Sequence, residues 1–222
     1  MKALDAIPQR RLEDEAVKRL REALLEGMFE PGGQLNQVQL ALQLGASRGT
    51  IRVALRRLEE EGLVYTVPYH GTFVTRLNRQ AVKELYELRS VLEAYGIRLA
   101  TPHCTPDDVA RLRTIVAEMR QTAARGNVMK LVRQELEFHR SLLELSGNTL
   151  LLQTWSSLRV QIQRVLAFRI HSYHNLEEIA ASHLPLLDAL ERQDAEEAAK
   201  AIVAHVDQAL DDLMARWPAE DQ

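Results

Sequence analysis

Apolar residues recur every three to four positions through most of the chain, and this period predicts a mainly helical protein. The regular pattern changes only once, where two short runs rich in β-branched residues predict strands. For the first 77 residues the predicted elements are a helix over 12–29, a short helix after Asn36, a helix from about Arg48 to Glu61, and strands over 63–67 and 72–75.

Local signals support the ends of these elements. Asn36 and Ser47 are residue types that commonly cap helix N-termini. The Gly45-Ala46 pair indicates a tight turn between the second and third helices. Gly62 is the expected stop of the third helix. The inward face of the first helix is predicted to carry Val17, Leu20, Leu24 and Met28, and that of the third to carry Ile51, Ala54, Leu55 and Leu58.

The remainder of the chain has helical period throughout and no strand alternation. Its breaks fall at proline, glycine, asparagine and aspartate, and the predicted helices cover 78–101, 105–125, 128–146, 148–172, 175–192 and 194–216. Six helices of this length form an antiparallel bundle, and a bundle of this size has room for a ligand at its centre. The predicted fold is mainly α, with a winged helix-turn-helix over 1–77 and a six-helix bundle over 78–222.

The third helix carries the local charge that the whole chain lacks. The net charge is only −3, yet the segment from Ser47 to Leu58 holds four arginines and no acidic residue. A recognition helix contacts bases in the major groove with its N-terminal residues, and arginine donates two hydrogen bonds to guanine. The predicted base contacts are Ser47, Arg48, Thr50 and Arg52, the predicted phosphate contacts are Arg56 and Arg57, and the predicted contacts from the wing tip are His70 and Gly71.

An arginine-rich amphipathic helix is equally typical of a solvated surface, so the arginine cluster alone does not distinguish a DNA-binding helix from an ordinary surface helix. The short helix before it and the hairpin after it favour a DNA-binding domain.

Three histidines and one carboxylate are predicted to point into the bundle. Glu135 and His139 are four residues apart and therefore share one helix face, together with apolar neighbours. His183 and His205 lie on the apolar sides of two later helices. Imidazoles with a carboxylate suit Zn²⁺, Ni²⁺, Mn²⁺ or Fe²⁺ and leave positions for a small anion. The alternative is that each histidine is a core residue bonded to a neighbour.

Arg89 lies within an apolar helix face, and a buried guanidinium needs an anionic partner. Two partners are open at this point: Glu93, one turn further along the helix, or the carboxylate of a bound ligand. Trp155 is predicted to be a packing residue.

The composition indicates the cellular compartment in which we expect the protein. A single cysteine, Cys104, cannot form an intrachain disulfide, which fits a reducing cytoplasm. The first residues contain no apolar core, so we expect no signal peptide, and no apolar run is long enough to cross a membrane. We expect a cytoplasmic protein.

The first 77 residues resemble the DNA-binding domain of the GntR family of bacterial transcription regulators. The resemblance covers about residues 12–76 and is carried by Leu44-Gly45-Ala46-Ser47-Arg48, Ala54-Leu55-Arg56-Arg57-Leu58, Glu61-Gly62-Leu63-Val64 and Gly71-Thr72-Phe73-Val74. Gly49-Thr50, Val53 and Gln37 depart from the usual family residues, which affects the operator sequence and not the fold.

Residues 79–217 resemble the FCD ligand-binding domain of the FadR-type branch, and six helices resemble its VanR-like subgroup. The matching segments are Glu87-Leu88-Arg89, Glu135-Leu136-Glu137-Phe138-His139, Ser146-Gly147-Asn148 and His183-Leu184-Pro185-Leu186 with His205. The resemblance implies metal ligands at Glu135, His139, His183 and His205, a small organic acid that completes the metal shell, and an arginine such as Arg89 at its far end. Glu135 stands where the family has aspartate, so it either ligates with shifted geometry or leaves the metal to three histidines.

These observations predict a homodimeric transcription regulator, a repressor by family expectation, that binds a near-palindromic double-stranded DNA operator and responds to a small carboxylate effector. Two alternatives are a metal-dependent hydrolase-type enzyme and a regulator whose signal is the metal itself. The enzyme is disfavoured because no carboxylate is left over as an acid–base partner and because the DNA-binding segment would have no purpose.

Overall fold

The computed structural model describes residues 9–171 and 175–217. Within it the chain divides into two compact units, residues 1–77 and residues 78–222.

The first unit consists of three helices and a small sheet. Its elements are α1 (Gln9–Leu25), β1 (Gln34–Leu35), α2 (Gln37–Leu44), α3 (Arg48–Glu60), β2 (Val64–Val67) and β3 (Gly71–Val74). The inward face predicted for α3 is fully buried at Ile51, Ala54, Leu55 and Leu58, and α1 packs against it.

The predicted caps of α2 and α3 are present. The Asn36 side chain accepts hydrogen bonds from the backbone N–H groups of Val38 and Gln39. Gly45 ends α2 with a φ of 61°, a left-handed conformation that glycine adopts without steric cost. Ser47 then accepts from the Thr50 N–H and begins α3. Because the two caps are only a few residues apart, α2 and α3 are joined by a tight turn.

Two details of the first unit differ from the sequence prediction. Helix α1 ends at Leu25, before Gly27 with its φ of 73°, so Met28 is 71% exposed and does not belong to the inward face. The sheet has three antiparallel strands in the order β1-β3-β2, with Gln34 opposite Phe73 and Thr66 opposite Thr72. The two-residue strand β1 is too short to give a periodic signal.

The second unit is helical throughout its described residues. Its elements are α4 (Arg79–Ala100), a 3₁₀ turn (Thr101–His103), α5 (Pro106–Ala124), α6 (Val128–Leu145), α7 (Thr149–His171), α8 (Leu176–Ala181), α9 (Leu184–Glu191) and α10 (Ala195–Ala215). The predicted fold class, a winged helix-turn-helix followed by a helical bundle, is therefore confirmed.

One predicted helix of the bundle is divided in two. The segment 175–192 forms α8 and α9, with a junction at Ser182 and His183. Pro185 explains the break, because its ring would clash with the carbonyl of Ala181 in a continuous helix, whereas the first turn of a new helix accepts proline. The junction fixes His183 at the start of α9, where its side chain is fully buried.

Helix α4 lies at the centre of the second unit and packs against α6, α7 and α10. The core around it contains large apolar side chains such as Phe138, Leu142, Leu166 and Ile202, all buried. In the part of the chain that the structure describes, no helix has the length and apolarity needed to span a lipid bilayer.

Candidate DNA-reading surface and candidate metal centre

The first turns of α3 present two arginines to solvent. Arg48 and Arg52 are exposed, and within residues 9–171 and 175–217 neither has an acidic side chain within ion-pair distance. Both positions follow the Ser47 cap, where a recognition helix contacts bases. Their guanidinium groups are therefore available to acceptors outside the chain.

Thr50 occupies a different environment from its arginine neighbours. It is 7% exposed, and its hydroxyl lies 2.9 Å from the Ser47 hydroxyl. The pair closes the first turn of α3, so Thr50 helps to hold the helix start in place. Its predicted base contact stays a prediction.

The two later arginines of α3 already have partners. Arg57 donates to Asp14 of α1 at 2.6 Å, and Arg56 lies 3.6 Å from Glu60. The Arg56 side chain is 82% exposed, and exposed pairs of this kind exchange readily with other anions. A phosphate contact from either arginine requires competition with these carboxylates.

The hairpin between β2 and β3 ends in a strained, exposed tip. Tyr69 has a φ of 64° and is fully exposed, and His70 beside it is also exposed. Gly71 has a φ of 115°, and a Cβ there would lie 2.8 Å from the Gln34 amide nitrogen. That amide donates to the His70 carbonyl at 2.6 Å, so the tip is held by a hydrogen bond from β1.

The four residues predicted as metal ligands converge in the second unit. Glu135 and His139 come from α6, His183 from the start of α9 and His205 from α10, and each is at most 8% exposed. One ligand atom from each residue can be chosen so that all four lie within 4.8 Å of one another. Folding therefore brings residues that are 70 positions apart into one buried cluster, which we call the His/Glu cluster.

The Glu135 carboxylate lies in the middle of the His/Glu cluster. Its oxygens are 3.5 Å from His139 Nε2, 3.3 Å from His183 Nε2 and 3.5 Å from His205 Nε2. These separations are longer than ordinary hydrogen bonds, and among the residues that the structure describes both oxygens and the three Nε2 atoms lack a hydrogen-bond partner. Buried polar atoms are almost always satisfied, so five unsatisfied atoms facing one another indicate a site built for an ion.

Neighbouring groups orient two of the imidazoles. His183 Nδ1 lies 2.8 Å from the Ile179 carbonyl, which can only accept, so Nδ1 carries a proton and the ring presents Nε2 to Glu135. His139 Nδ1 lies at ion-pair distance, 2.7 Å, from a Glu93 oxygen, and its Nε2 lies 3.5 Å from a Glu135 oxygen. Carbonyl and carboxylate partners of this kind are typical of metal-binding histidines.

Glu93 is bound by three different side chains. One oxygen accepts from Arg89 Nε at 2.8 Å and from the Trp155 indole N–H at 2.7 Å, while the other faces His139. Trp155, predicted as a packing residue, therefore also donates a hydrogen bond. A sequence gives little warning of this role, because the partner lies 62 positions away.

Arg89 is fully buried and pairs with Glu93, the neighbour one turn along α4. This pairing does not use the whole guanidinium, because Nη2 has no hydrogen-bond partner in residues 9–171 and 175–217. The hydroxyl of Tyr86 is also buried and has no hydrogen-bond partner in the described part of the chain. The Arg89 guanidinium lies 5.6 Å from the centre of the Tyr86 ring. Tyr86 was not predicted as a site residue, since its position on an apolar face is typical of core tyrosines.

The charges in this region shift the ionisation of its carboxylates. Burial raises the pKa of the Glu93 carboxyl, but the charges of Arg89 and His139 outweigh burial and leave that pKa below its usual range. Burial likewise raises the pKa of Glu135, and the adjacent histidines, with His183 foremost, lower it well below normal. Both carboxylates are thus ionised and available as electron-pair donors.

The histidines of the His/Glu cluster differ among themselves. Burial lowers the pKa of His139, but the Glu93 carboxylate outweighs burial and raises it above its ordinary value. Burial and the charge of His183 lower the pKa of His205 to about 3. His205 therefore stays neutral at physiological pH, which is the form of imidazole that binds a metal.

The residues present fit a divalent transition metal. Three imidazole nitrogens and one carboxylate, all buried and unsatisfied, are donors that Zn²⁺, Ni²⁺, Mn²⁺ and Fe²⁺ accept. Glu135 has a longer side chain than the aspartate of the family, and its carboxylate oxygens still lie within 3.5 Å of the Nε2 atoms of all three histidines. His103 and Cys104, which are adjacent in the chain, are not part of this group of ligands.

Comparison with known proteins assigns both units to one family. The model of the bacterial regulatory proteins of the gntR family matches residues 12–74, and that of the FCD domain matches residues 84–208. The Nta operon transcriptional regulator of Aminobacter aminovorans is 32% identical over 188 residues, which are 84% of this chain and 87% of that protein. A probable D-xylose utilization operon transcriptional repressor of Paenarthrobacter nicotinovorans is 30% identical over 91% of each chain.

Among solved structures, Escherichia coli McbR/YncC has a TM-score of 0.78 at 23% identity, covering 93% of this chain and 99% of that one. At this identity the likeness supports the fold alone. Together with the winged helix-turn-helix and the helical bundle, the family matches settle the assignment. The chain belongs to the GntR family of DNA-binding transcriptional regulators, in its FadR-type branch, and its second unit contains an FCD domain.

Proposed function

We propose that this regulator is a homodimeric repressor whose affinity for its operator is controlled by a small organic acid bound at a metal in the His/Glu cluster. The observation that carries the proposal is the set of buried donors without partners: the Glu135 oxygens, three Nε2 atoms and, nearby in the same network, Arg89 Nη2. Repression, as opposed to activation, is supported by the relative from Paenarthrobacter, which is described as a probable repressor.

The DNA-reading role rests on α3 and the wing. Arg48 and Arg52 are free to donate to base edges, whereas Arg56 and Arg57 would exchange their carboxylate partners for phosphates. Two copies of α3 in successive major grooves would read a near-palindromic site with half-sites about 10 base pairs apart. The predicted contacts from Ser47, Thr50, His70 and Gly71 belong to the same proposal.

The sensing role divides between the His/Glu cluster and Arg89. A bound divalent cation would supply a Lewis-acidic centre that attracts one carboxylate oxygen of the effector. Glu135, His139, His183 and His205 would hold that cation, with Glu93 and the Ile179 carbonyl keeping two imidazoles in the required tautomer. The unused Nη2 of Arg89 would donate to the far end of the acid.

The contacts of Glu93 suggest how occupancy would be transmitted. Glu93 touches Arg89 on α4, His139 on α6 and Trp155 on α7. An acid that draws on Arg89 or on the His/Glu cluster must therefore alter the balance of contacts among three helices. Operator affinity changes if the acid binds two arrangements of these helices unequally.

The test is a DNA-binding titration with protein in two metal states. The probe is double-stranded DNA that the wild-type protein selects from a random-sequence pool, with binding measured by fluorescence anisotropy. Metal-loaded and chelator-treated protein are each titrated with acetate, lactate, succinate, malate and benzoate. We expect at least one acid to weaken binding about fivefold or more, the lower range of allosteric coupling, with metal-loaded protein only.

The controls separate the alternatives. His183→Ala should abolish the response to acid, whereas His103→Ala, which changes an exposed histidine, should preserve it. A change in DNA affinity on metal removal with no response to any acid would replace the proposal by a metal sensor. Failure of the random pool to yield an enriched, near-palindromic sequence would contradict the DNA-reading part.

A further inference from the structure

The tip of the β2–β3 hairpin is a turn that holds a tyrosine where glycine is expected. The His70 N–H donates to the Val67 carbonyl at 3.0 Å, which closes a four-residue turn. Pro68 is the second residue of this turn and Tyr69 the third. Because proline cannot adopt a positive φ and Tyr69 has a φ of 64°, the turn is type II. The third position of such a turn favours glycine or asparagine, so a tyrosine there is strained.

The described part of the chain offers nothing that compensates for this strain. The Tyr69 side chain is fully exposed and makes no hydrogen bond, ion pair or ring contact with residues 9–171 or 175–217. Gln193, the other non-glycine residue with a positive φ in these ranges, differs. It completes the end of α9, where a left-handed residue is common, and its side-chain amide donates to the Cys104 carbonyl at 3.4 Å. Backbone strain that brings no contact inside the protein is typical of functional sites.

Hydrogen bonds on both sides of the hairpin hold Tyr69 in place relative to α3. The Thr66 N–H of β2 donates to the Glu59 carboxylate of α3 at 2.7 Å. From β1, the Gln34 amide donates to the His70 carbonyl at 2.6 Å, next to the tyrosine. The aromatic ring therefore projects from a tip whose backbone is fixed before any partner binds.

The charge around the tip favours DNA as the partner. No acidic residue occurs from residue 62 to residue 83, a stretch that contains the whole hairpin together with His70, Arg76 and Arg79. A phosphate backbone can approach this surface without repulsion between like charges. The hairpin follows α3 directly in the chain, and a segment beside a recognition helix can reach the adjacent minor groove, as the N-terminal arm of a homeodomain does.

We propose that Tyr69 enters the minor groove beside each half-site and selects A·T base pairs there. The minor groove of B-DNA is about 6 Å wide, so a flat aromatic ring fits edgewise between its walls. An A·T pair presents only the acceptors adenine N3 and thymine O2 in this groove, and a tyrosine hydroxyl donates to such acceptors. A G·C pair adds the guanine 2-amino group, a donor that blocks the contact. The inference rests on the proposed function, because it needs the operator that α3 reads.

The first test compares the DNA sequences that each protein selects from a random pool. We expect the wild type to enrich a near-palindromic core with A·T-rich flanks, and Tyr69→Gly to enrich the same core with no preference in the flanks. Tyr69→Gly should bind the wild-type sequence about five- to tenfold more weakly, the lower range for loss of one base-pair contact. Tyr65→Phe is the matched control, since it removes a hydroxyl from the same hairpin, keeps the ring stacked on Phe73 and should select the wild-type sequence.

Inosine distinguishes minor-groove from major-groove recognition. An inosine·cytosine pair lacks the 2-amino group, so it resembles A·T in the minor groove and G·C in the major groove. By fluorescence anisotropy, the wild type should bind A·T and inosine·cytosine flanks alike and G·C flanks about fivefold more weakly. Tyr69→Phe, which keeps the ring, should lose part of this discrimination, and Tyr69→Gly all of it. Equal discrimination by the wild type and Tyr69→Gly, or inosine·cytosine flanks bound as weakly as G·C flanks, would overturn the proposal.

Thermal unfolding separates a lost DNA contact from a damaged fold. Tyr69→Asn tolerates the positive φ without the extra freedom that glycine has in the unfolded chain, and it should raise the unfolding midpoint by about 2–4 °C. The midpoint of Tyr69→Gly should be no lower than that of the wild type. A lower midpoint in both variants would mean that Tyr69 stabilises the fold, which contradicts the proposal.

The random-pool selection also distinguishes failure of this inference from failure of the proposed function. If the wild type enriches a core without A·T preference in the flanks, the role of Tyr69 is wrong and the operator-binding role stands. If the wild type enriches no sequence, the operator binding on which the inference rests is itself contradicted.

Discussion

The two units use arginine in opposite ways. In α3, Arg52 is exposed, and Arg56 keeps 82% of its side chain exposed beside a weak surface partner. In α4, Arg89 is fully buried, pairs with Glu93 and still has one nitrogen without a partner. Water solvates the exposed guanidinium groups of α3, so they remain available to a polyanion outside the chain. The Arg89 guanidinium is removed from water and requires its anion inside the fold.

The comparison teaches how to interpret unsatisfied polar atoms. An exposed donor without a protein partner carries no information, because water fills the position. A buried donor without a partner is costly, so several of them facing one space indicate a ligand. The atoms of the His/Glu cluster meet that condition, and Arg89 Nη2 is a further buried donor without a partner among the described residues. The condition does not apply to Arg48 and Arg52 of α3, because they are exposed.

The largest expected effect concerns the buried ion pair. Glu93→Leu leaves the Arg89 charge buried and unpaired, and we expect it to lower the free energy of unfolding by about 3–5 kcal/mol. Arg140 and Glu144 form a pair with the same spacing on the surface, and Glu144→Leu should change the free energy by no more than about 1 kcal/mol. Urea denaturation followed by circular dichroism measures both. Equal losses would remove the distinction between buried and exposed pairs.

The next effect concerns metal affinity. His183→Ala removes one of four donors from the His/Glu cluster, and we expect zinc affinity to fall at least about 100-fold, because even indirect supports of metal ligands contribute 10- to 100-fold. Isothermal titration calorimetry measures the change, with His103→Ala as the matched control. Retention of wild-type affinity by His183→Ala would exclude His183 as a ligand.

A smaller effect is expected for the exposed arginine of α3. Arg52→Ala should cost about 1–3 kcal/mol in binding to selected DNA, the value of a two-hydrogen-bond contact to guanine, and should leave the fold unchanged. Arg120→Ala, which changes an exposed arginine on α5, is the control. Normal affinity in Arg52→Ala, measured by fluorescence anisotropy, would contradict the assignment of α3 as the recognition helix.

The smallest effect concerns phosphate contacts. Arg56→Ala should weaken binding to all DNA sequences alike and reduce the slope of log Kd against log salt concentration by about 1. Glu60→Gln, which removes the carboxylate near Arg56, should strengthen binding slightly. Titrations at several salt concentrations measure both slopes. An unchanged slope in Arg56→Ala would mean that this arginine does not contact a phosphate.

Local signals in the sequence predicted much of the first unit. The Asn36 and Ser47 caps and the Gly45 turn act within a few residues, so they could be identified without knowledge of the fold. The end of α1 could not be identified in this way, because the helical period of apolar residues continues to Met28 although the helix ends at Leu25.

The second unit divides in the same way. The helix faces predicted that four candidate ligands point inward, and the structure brings those four residues together. The roles of Glu93, Trp155 and Tyr86 depend on contacts between distant helices, which periodicity does not encode. Pro185 is a local signal for the break between α8 and α9. The apolar pattern continues on both sides of the break, so the sequence predicts one continuous helix there.

The central claim is that the buried donors of the second unit hold a metal. The most direct measurement is anomalous diffraction at the zinc edge from crystals of zinc-loaded protein. We predict one strong peak within bonding distance of Glu135, His139, His183 and His205, and a second density that joins the metal to the Arg89 guanidinium when an effector acid is present. An empty His/Glu cluster, or zinc found only at surface sites such as His103, would contradict the account.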